Sequence, residues 1–198
     1  MQVPNHQHIA AYTIAATALI VLVALFHHPV AGTQGDAALL PAQIAQLAHK
    51  DRLVHGVLIV MLAMLTRALR SLQPASATGL AAHALGSVLL GVAMLFDGFI
   101  VPNVAGIPDS LPMLQAMGLA IQVFSKAGLL AHCAAMLGWA YASRRSAAWF
   151  ACVGMLASSL PAAALLFSDL RLTPHSLMAI FTIQAVWYLS AAWLLLRR

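Results

Sequence analysis

The sequence predicts an all-α fold: a polytopic bundle of six transmembrane helices that fills residues 1–198 as a single domain. Three observations lead there. Apolar residues make up 62% of the chain and charged residues only 8%, against about 25% charged in soluble domains, so no water-facing surface can be assembled. Long apolar stretches separated by short polar joints recur six times, each near the roughly 20 residues that a bilayer core about 30 Å thick requires. The five acids are all aspartate and fall at or near one alternate set of joints, while most arginines collect at the other.

The first span, Ile9–Phe26, has no charge and ends at His27-His28-Pro29. It lacks the Lys/Arg-bearing start of a signal peptide and is expected to be a permanent span. After a loop from Val30 to Leu40, Pro41 suits a helix start, and His49-Lys50-Asp51-Arg52 leads into the second span, 53–70. Arg67 and Arg70 there can snorkel to the interface. The third span is 79–101 and the fourth 113–143, longer than a perpendicular crossing needs. The fifth, 147–167, contains Pro161 as an expected kink, and 177–196 is the sixth. Ala134 and Gly138 are expected to let helices approach closely.

Orientation follows from the Lys and Arg count in the joints. Arg67, Arg70, Arg144, Arg145, Arg197 and Arg198 lie on one side, against Lys50, Arg52 and Arg171 on the other. The excess predicts an inner-membrane protein with both termini in the cytoplasm and all five aspartates outside. Net charge is +5, but the basic residues stand singly or in pairs at helix ends, which argues against nucleic acid. The expected partners are the lipid bilayer and a membrane-protein complex or homo-oligomer. Cys133 and Cys152 fall inside apolar spans and read as reduced thiols packed in the bundle.

Three constellations could carry chemistry. Asp97 and Lys126 are ionisable residues inside consecutive spans, where charges find partners or face the bundle interior. Depths reckoned at 1.5 Å per residue differ by about 5 Å, so the two are expected to form a buried charge pair. On the aspartate side, His27, His28, His55 and His175 lie near one depth. Asp51, one turn before His55, can hold that imidazole in one tautomer. Neutral imidazoles from three helix ends suit Zn, Cu or Fe, while hydration at the headgroup level explains the same residues without a metal. On the opposite side, His83 and His132 enter from consecutive spans with Cys133 and Cys152 nearby. That set could clamp a b-type haem or a soft metal, provided the third helix begins near Ser76. Packed core histidines are the simpler alternative. Gly79–Ala84 and Gly128–Cys133 echo each other, Gly-Leu-Ala-Ala-His-Ala against Gly-Leu-Leu-Ala-His-Cys, a match short enough for chance.

No GxSxG elbow, phosphate-cradling glycine loop or intramembrane glutamate pair occurs. The function classes that remain are a membrane-embedded metal- or haem-binding or redox protein, a noncatalytic accessory subunit of a larger membrane complex, a proton-coupled transporter and a membrane hydrolase. The residues name no substrate and leave open whether the protein is an enzyme.

Overall fold

A computed structural model of the chain describes residues 6–29, 39–72 and 76–197; the predicted loop tip around Asp36 and the terminal Arg198 lie outside them. Six long helices follow one another: α1 (His6–Phe26), α2 (Leu40–Leu69), α3 (Ala77–Leu95), α4 (Leu111–Ser143), α5 (Ala148–Phe167) and α6 (Pro174–Leu196). Each is long and apolar enough to cross a membrane, and the described residues contain no strand. Consecutive helices pack side by side, and α6 returns against α1, so the bundle is a closed ring in chain order, as short connections favour.

The helix starts have local causes. Pro41, Pro112 and Pro174 occupy first turns, where a missing N–H costs no hydrogen bond. Ser76 caps α3 by accepting from the Gly79 N–H at 2.9 Å, and Thr173 with Ser176 forms a reciprocal capping box on α6. α2 therefore begins well before the expected span at 53. With the 3₁₀ turn Arg70–Leu72 it runs 33 residues, as does α4, or about 50 Å at 1.5 Å per residue. The surplus beyond a bilayer core of about 30 Å forms a small cap. There Ile44 of α2 packs with Val101, Val104, Ala105, Leu114 and Met117.

Lipid tails are as apolar as leucine, so hydrophobicity does not hold transmembrane helices together; close packing does. The tightest crossing joins α3 to α4 at Gly86 and Gly128. A Cβ on Gly86 would lie 2.3 Å from His132 Cδ2 and 2.7 Å from the Gly128 carbonyl oxygen. Gly138 makes the expected close approach, its Cβ position 3.3 Å from Gly79 Cα, whereas Ala134 is exposed and takes no part. The arginine end of the core is aromatic: Trp139 and Trp187, both fully buried, stack at 5.3 Å. Cys133 is buried, but Cys152 is exposed on the outside of α5, so only one thiol is packed inside. α5 runs through Pro161 without ending.

The alternation of direction gathers the described aspartates at one end of the bundle and most described arginines at the other, as expected. The third helix departs from regularity where it matters most. After α3 the chain forms a five-residue π turn, Phe96–Ile100, and a short helix, Val101–Val104. Pro102 cannot donate to the Gly98 carbonyl, and the Val101 N–H reaches back to the Phe96 carbonyl instead, one residue further than an α-helix allows. Asp97 sits inside this turn.

Candidate metal centre

The end of α1, the middle of α2 and the π turn after α3 meet on the aspartate side of the ring. His28 closes α1, Asp51 and His55 lie on one face of α2, and Asp97 is carried by the π turn. Gly98 makes the meeting possible: a Cβ there would stand 2.5 Å from His55 Cβ. Arg52 braces the same contact, donating to Asn103 Oδ1 at 2.7 Å, while Asn103 Nδ2 donates to the Phe99 carbonyl at 2.8 Å.

The hydrogen bonds settle which ring nitrogens face one another. His28 Nδ1 lies 2.7 Å from the Pro29 carbonyl oxygen, and His55 Nδ1 lies 2.9 Å from the Asp51 carbonyl oxygen and 3.2 Å from Asp51 Oδ1. These oxygens only accept, so both Nδ1 atoms carry the proton. In the neutral rings each Nε2 is then a bare lone pair. The two Nε2 atoms stand 3.3 Å apart, and Asp97 Oδ2 is 3.3 Å from His55 Nε2. His55 is 3% exposed, His28 15% and Asp97 37%. Three electron-rich atoms turned towards one another repel unless a cation or proton lies between them.

His28, His55 and Asp97 each offer one ligand atom, all within 4.8 Å of one another. Donors held 2.0–2.1 Å from a tetrahedral ion are about 3.3 Å apart, the spacing of both measured pairs. Asp51 Oδ1 reaches His55 Nδ1 at 3.2 Å across one helical turn and stands 3.9 Å from His28 Nε2. The three side chains line one side of a cavity of about 250 Å³ whose other walls are largely apolar, among them Leu58, Leu90, Ile121 and Phe181. Ser125 adds a hydroxyl to the lining. Gln122 spends its amide on Leu172, donating to its carbonyl at 2.7 Å and accepting from its N–H at 2.9 Å.

The rest of the expected set is not brought here. His27 is exposed and packs edge-on against Phe26, so of the two adjacent histidines only His28 turns inward. His175 is exposed and outside the convergent group. The expected Asp97–Lys126 pair is not formed: Asp97 pairs with His55, and among the described residues Lys126 has no ion pair. The depth argument treated 79–101 as one regular helix. The π turn changes both rise and facing at Asp97, which a count along the chain misses. Gly98 escaped notice for the same reason. Its only sequence signal is Asp-Gly shortly before Pro102.

The inner constellation is built differently. α3 does begin beside Ser76, so His83 and His132 come level, with rings stacked at 4.3 Å and 10°. Axial haem ligands must face each other across the iron with the macrocycle between them, and flat rings this close leave no room for it. Hydroxyls take up their nitrogens. Tyr188 OH lies 3.1 Å from His83 Nε2 and Thr66 Oγ1 3.2 Å from His83 Nδ1, while Ser87 Oγ stands 3.2 Å from His132 Nε2. Cys133 Sγ accepts from Gln184 Nε2 at 3.8 Å, and Cys152 faces away. His132 Nδ1 has no partner. In place of the expected haem or soft-metal site, the described residues form a polar network of histidines and hydroxyls.

No protein-family model, curated protein or solved structure matches the chain.

Proposed function

We propose that this chain is a membrane-embedded metal-binding protein that holds one first-row transition ion between His28, His55 and Asp97. The observation that carries the reading is the convergence of His28 Nε2, His55 Nε2 and one Asp97 carboxylate oxygen from three separate elements, all within 4.8 Å of one another. Two imidazoles and a carboxylate suit Zn(II), Fe(II) or Cu(II) and leave coordination positions open. The cavity supplies access to them. Its apolar walls favour water or a small, mostly apolar molecule with one donor atom as the exchangeable ligand.

Metal analysis of protein purified without chelators, followed by Co(II) titration monitored by visible absorption, tests this. One equivalent bound by the wild type and lost in His28→Ala and His55→Ala is expected. Binding no tighter in the wild type than in His55→Ala overturns it. A second reading would then be favoured by the placement of His55 between Asp51 on one nitrogen and Asp97 on the other. That ring can hold a proton on each side, the feature a proton-coupled transporter needs. Nitrogen NMR of the ring separates the two states.

The arginine excess at the opposite end supports a cytoplasmic location for both termini and puts the metal centre on the outer face. Asp109, exposed in its loop, provides the test in a background lacking Cys133 and Cys152. Asp109→Cys should react with an impermeant maleimide in intact cells and Ser146→Cys should not. The reverse pattern inverts the topology.

A further inference from the structure

A second cavity, of about 560 Å³, runs along the outside of the bundle between α2 and α3. The helices are antiparallel, and the Thr66–Ser87 hydroxyl contact at 3.0 Å fixes their register. One end of the groove is therefore polar, with Arg67, Arg70, Thr66 and Ser87. The other end, past Leu62 and Gly91 to Ile59 and Leu95, is apolar. From Arg70 to Ile59 is about 16 Å along α2 at 1.5 Å per residue. The flanking surface faces lipid: Val60, Met64, Leu85 and Val88 are large, apolar and 43–63% exposed.

Both arginines are exposed, no acidic side chain lines the groove, and the described ion pairs involve neither cation. Gly91 keeps the floor open: a Cβ there would meet nothing within 4 Å. Two unpaired cations above an apolar trench complement an anionic head on a hydrocarbon tail.

We propose that this groove binds one anionic phospholipid of the surrounding bilayer, its phosphate held by Arg67 and Arg70 beside Thr66 and Ser87 and one acyl chain laid between α2 and α3 over Gly91. The site is independent of the metal centre, which lies at the other end of the ring. The head would lie beside Thr66 and Ser87, whose hydroxyls contact His83 and His132, so the lipid would cover that network from outside.

Native mass spectrometry of the full chain in mild detergent, titrated with phosphatidylglycerol or phosphatidylcholine of identical chains, tests the proposal. The wild type should retain one phosphatidylglycerol at a concentration at least about tenfold below that needed for phosphatidylcholine. Arg67→Gln with Arg70→Gln should abolish the preference. Arg144→Gln with Arg145→Gln, which removes the same charge at the same end, should leave it intact. Gly91→Phe should fill the trench and remove binding of both lipids. Helical circular dichroism should be unchanged, since a Cβ at Gly91 meets nothing within 4 Å. Equal retention of the two lipids by the wild type, a preference that survives loss of Arg67 and Arg70, or its loss in the Arg144/Arg145 variant would each overturn the proposal. Displacement of the lipid by inorganic phosphate at matched concentration would also overturn it, since the site would then read the anion alone.

Discussion

Two histidine pairs lie in this ring of helices, one near each end, and each brings imidazoles from different helices within contact. At the arginine end, His83 and His132 lie flat on each other, and three hydroxyls occupy three of their four nitrogens. At the aspartate end, His28 and His55 meet at 84° with both outer nitrogens turned to the backbone or Asp51 and both inner nitrogens turned to each other and Asp97. Burial alone would rank the first pair as the more unusual, since both its rings are fully buried. What separates the two is where the lone pairs go. A pair with three of its four nitrogens on neutral hydroxyls and the fourth unpartnered ties helices together, whereas converging nitrogens and a carboxylate leave a place for a cation.

The largest expected effect breaks this comparison if it is wrong. His55→Ala should weaken metal binding beyond the roughly 10–100-fold range of residues that only support a ligand. His132→Ala should leave metal affinity unchanged and instead cost about 2–5 kcal/mol of stability through a cavity in a packed crossing. Metal titration and thermal unfolding of both variants decide it. Loss of metal from His132→Ala would show that the two ends do not have separate jobs.

Glycine substitutions sharpen the contrast at equal steric cost. Gly98→Ala would drive a methyl to within 2.5 Å of His55 Cβ, and Gly86→Ala one to within 2.3 Å of His132 Cδ2. Each should destabilise by about 1–3 kcal/mol through overpacking. Only Gly98→Ala should also lower metal affinity, because it moves a ligand. A smaller effect is expected of Asp51→Asn, which keeps the backbone acceptor for His55 Nδ1. Its loss should sit near tenfold, read by the same titration, and no loss at all would leave Asp51 without a part in orienting the ring.

The six-helix bundle was legible because bilayer thickness dictates helix length and short connections make consecutive spans neighbours; the return of α6 against α1 was not. Half of the candidate metal centre was legible too: Asp51 and His55 share a face at i, i+4, and His28 ends the adjoining span. Asp97 was found as a charge in an apolar span but given the wrong neighbour, because Pro102 converts the preceding turn to π geometry and rotates the carboxylate towards α2. His175 was expected by depth, yet depth says nothing about which way a ring points around the helix axis. Pro174 on the same turn lines the cavity while His175 faces out.

The smallest expected effect concerns the partner Asp97 does not have. Lys126 lies one helix away and was expected by depth to neutralise it; with no ion pair between them among the described residues, the two substitutions should be independent. Thermal stabilities of Asp97→Asn, Lys126→Met and the double variant should add within about 0.3–0.5 kcal/mol, the usual tolerance for residues sharing no partner. The parallel cycle of Asp97→Asn with His55→Ala should not add, because removing either leaves the other without its contact, and coupling of about 0.5–3 kcal/mol is usual for contacting groups. Running both cycles in one detergent cancels the effect of the host environment, so the comparison rests on the difference. A coupled Asp97–Lys126 cycle beside an additive Asp97–His55 cycle would return the carboxylate to the lysine. It would also take the third ligand away from the metal.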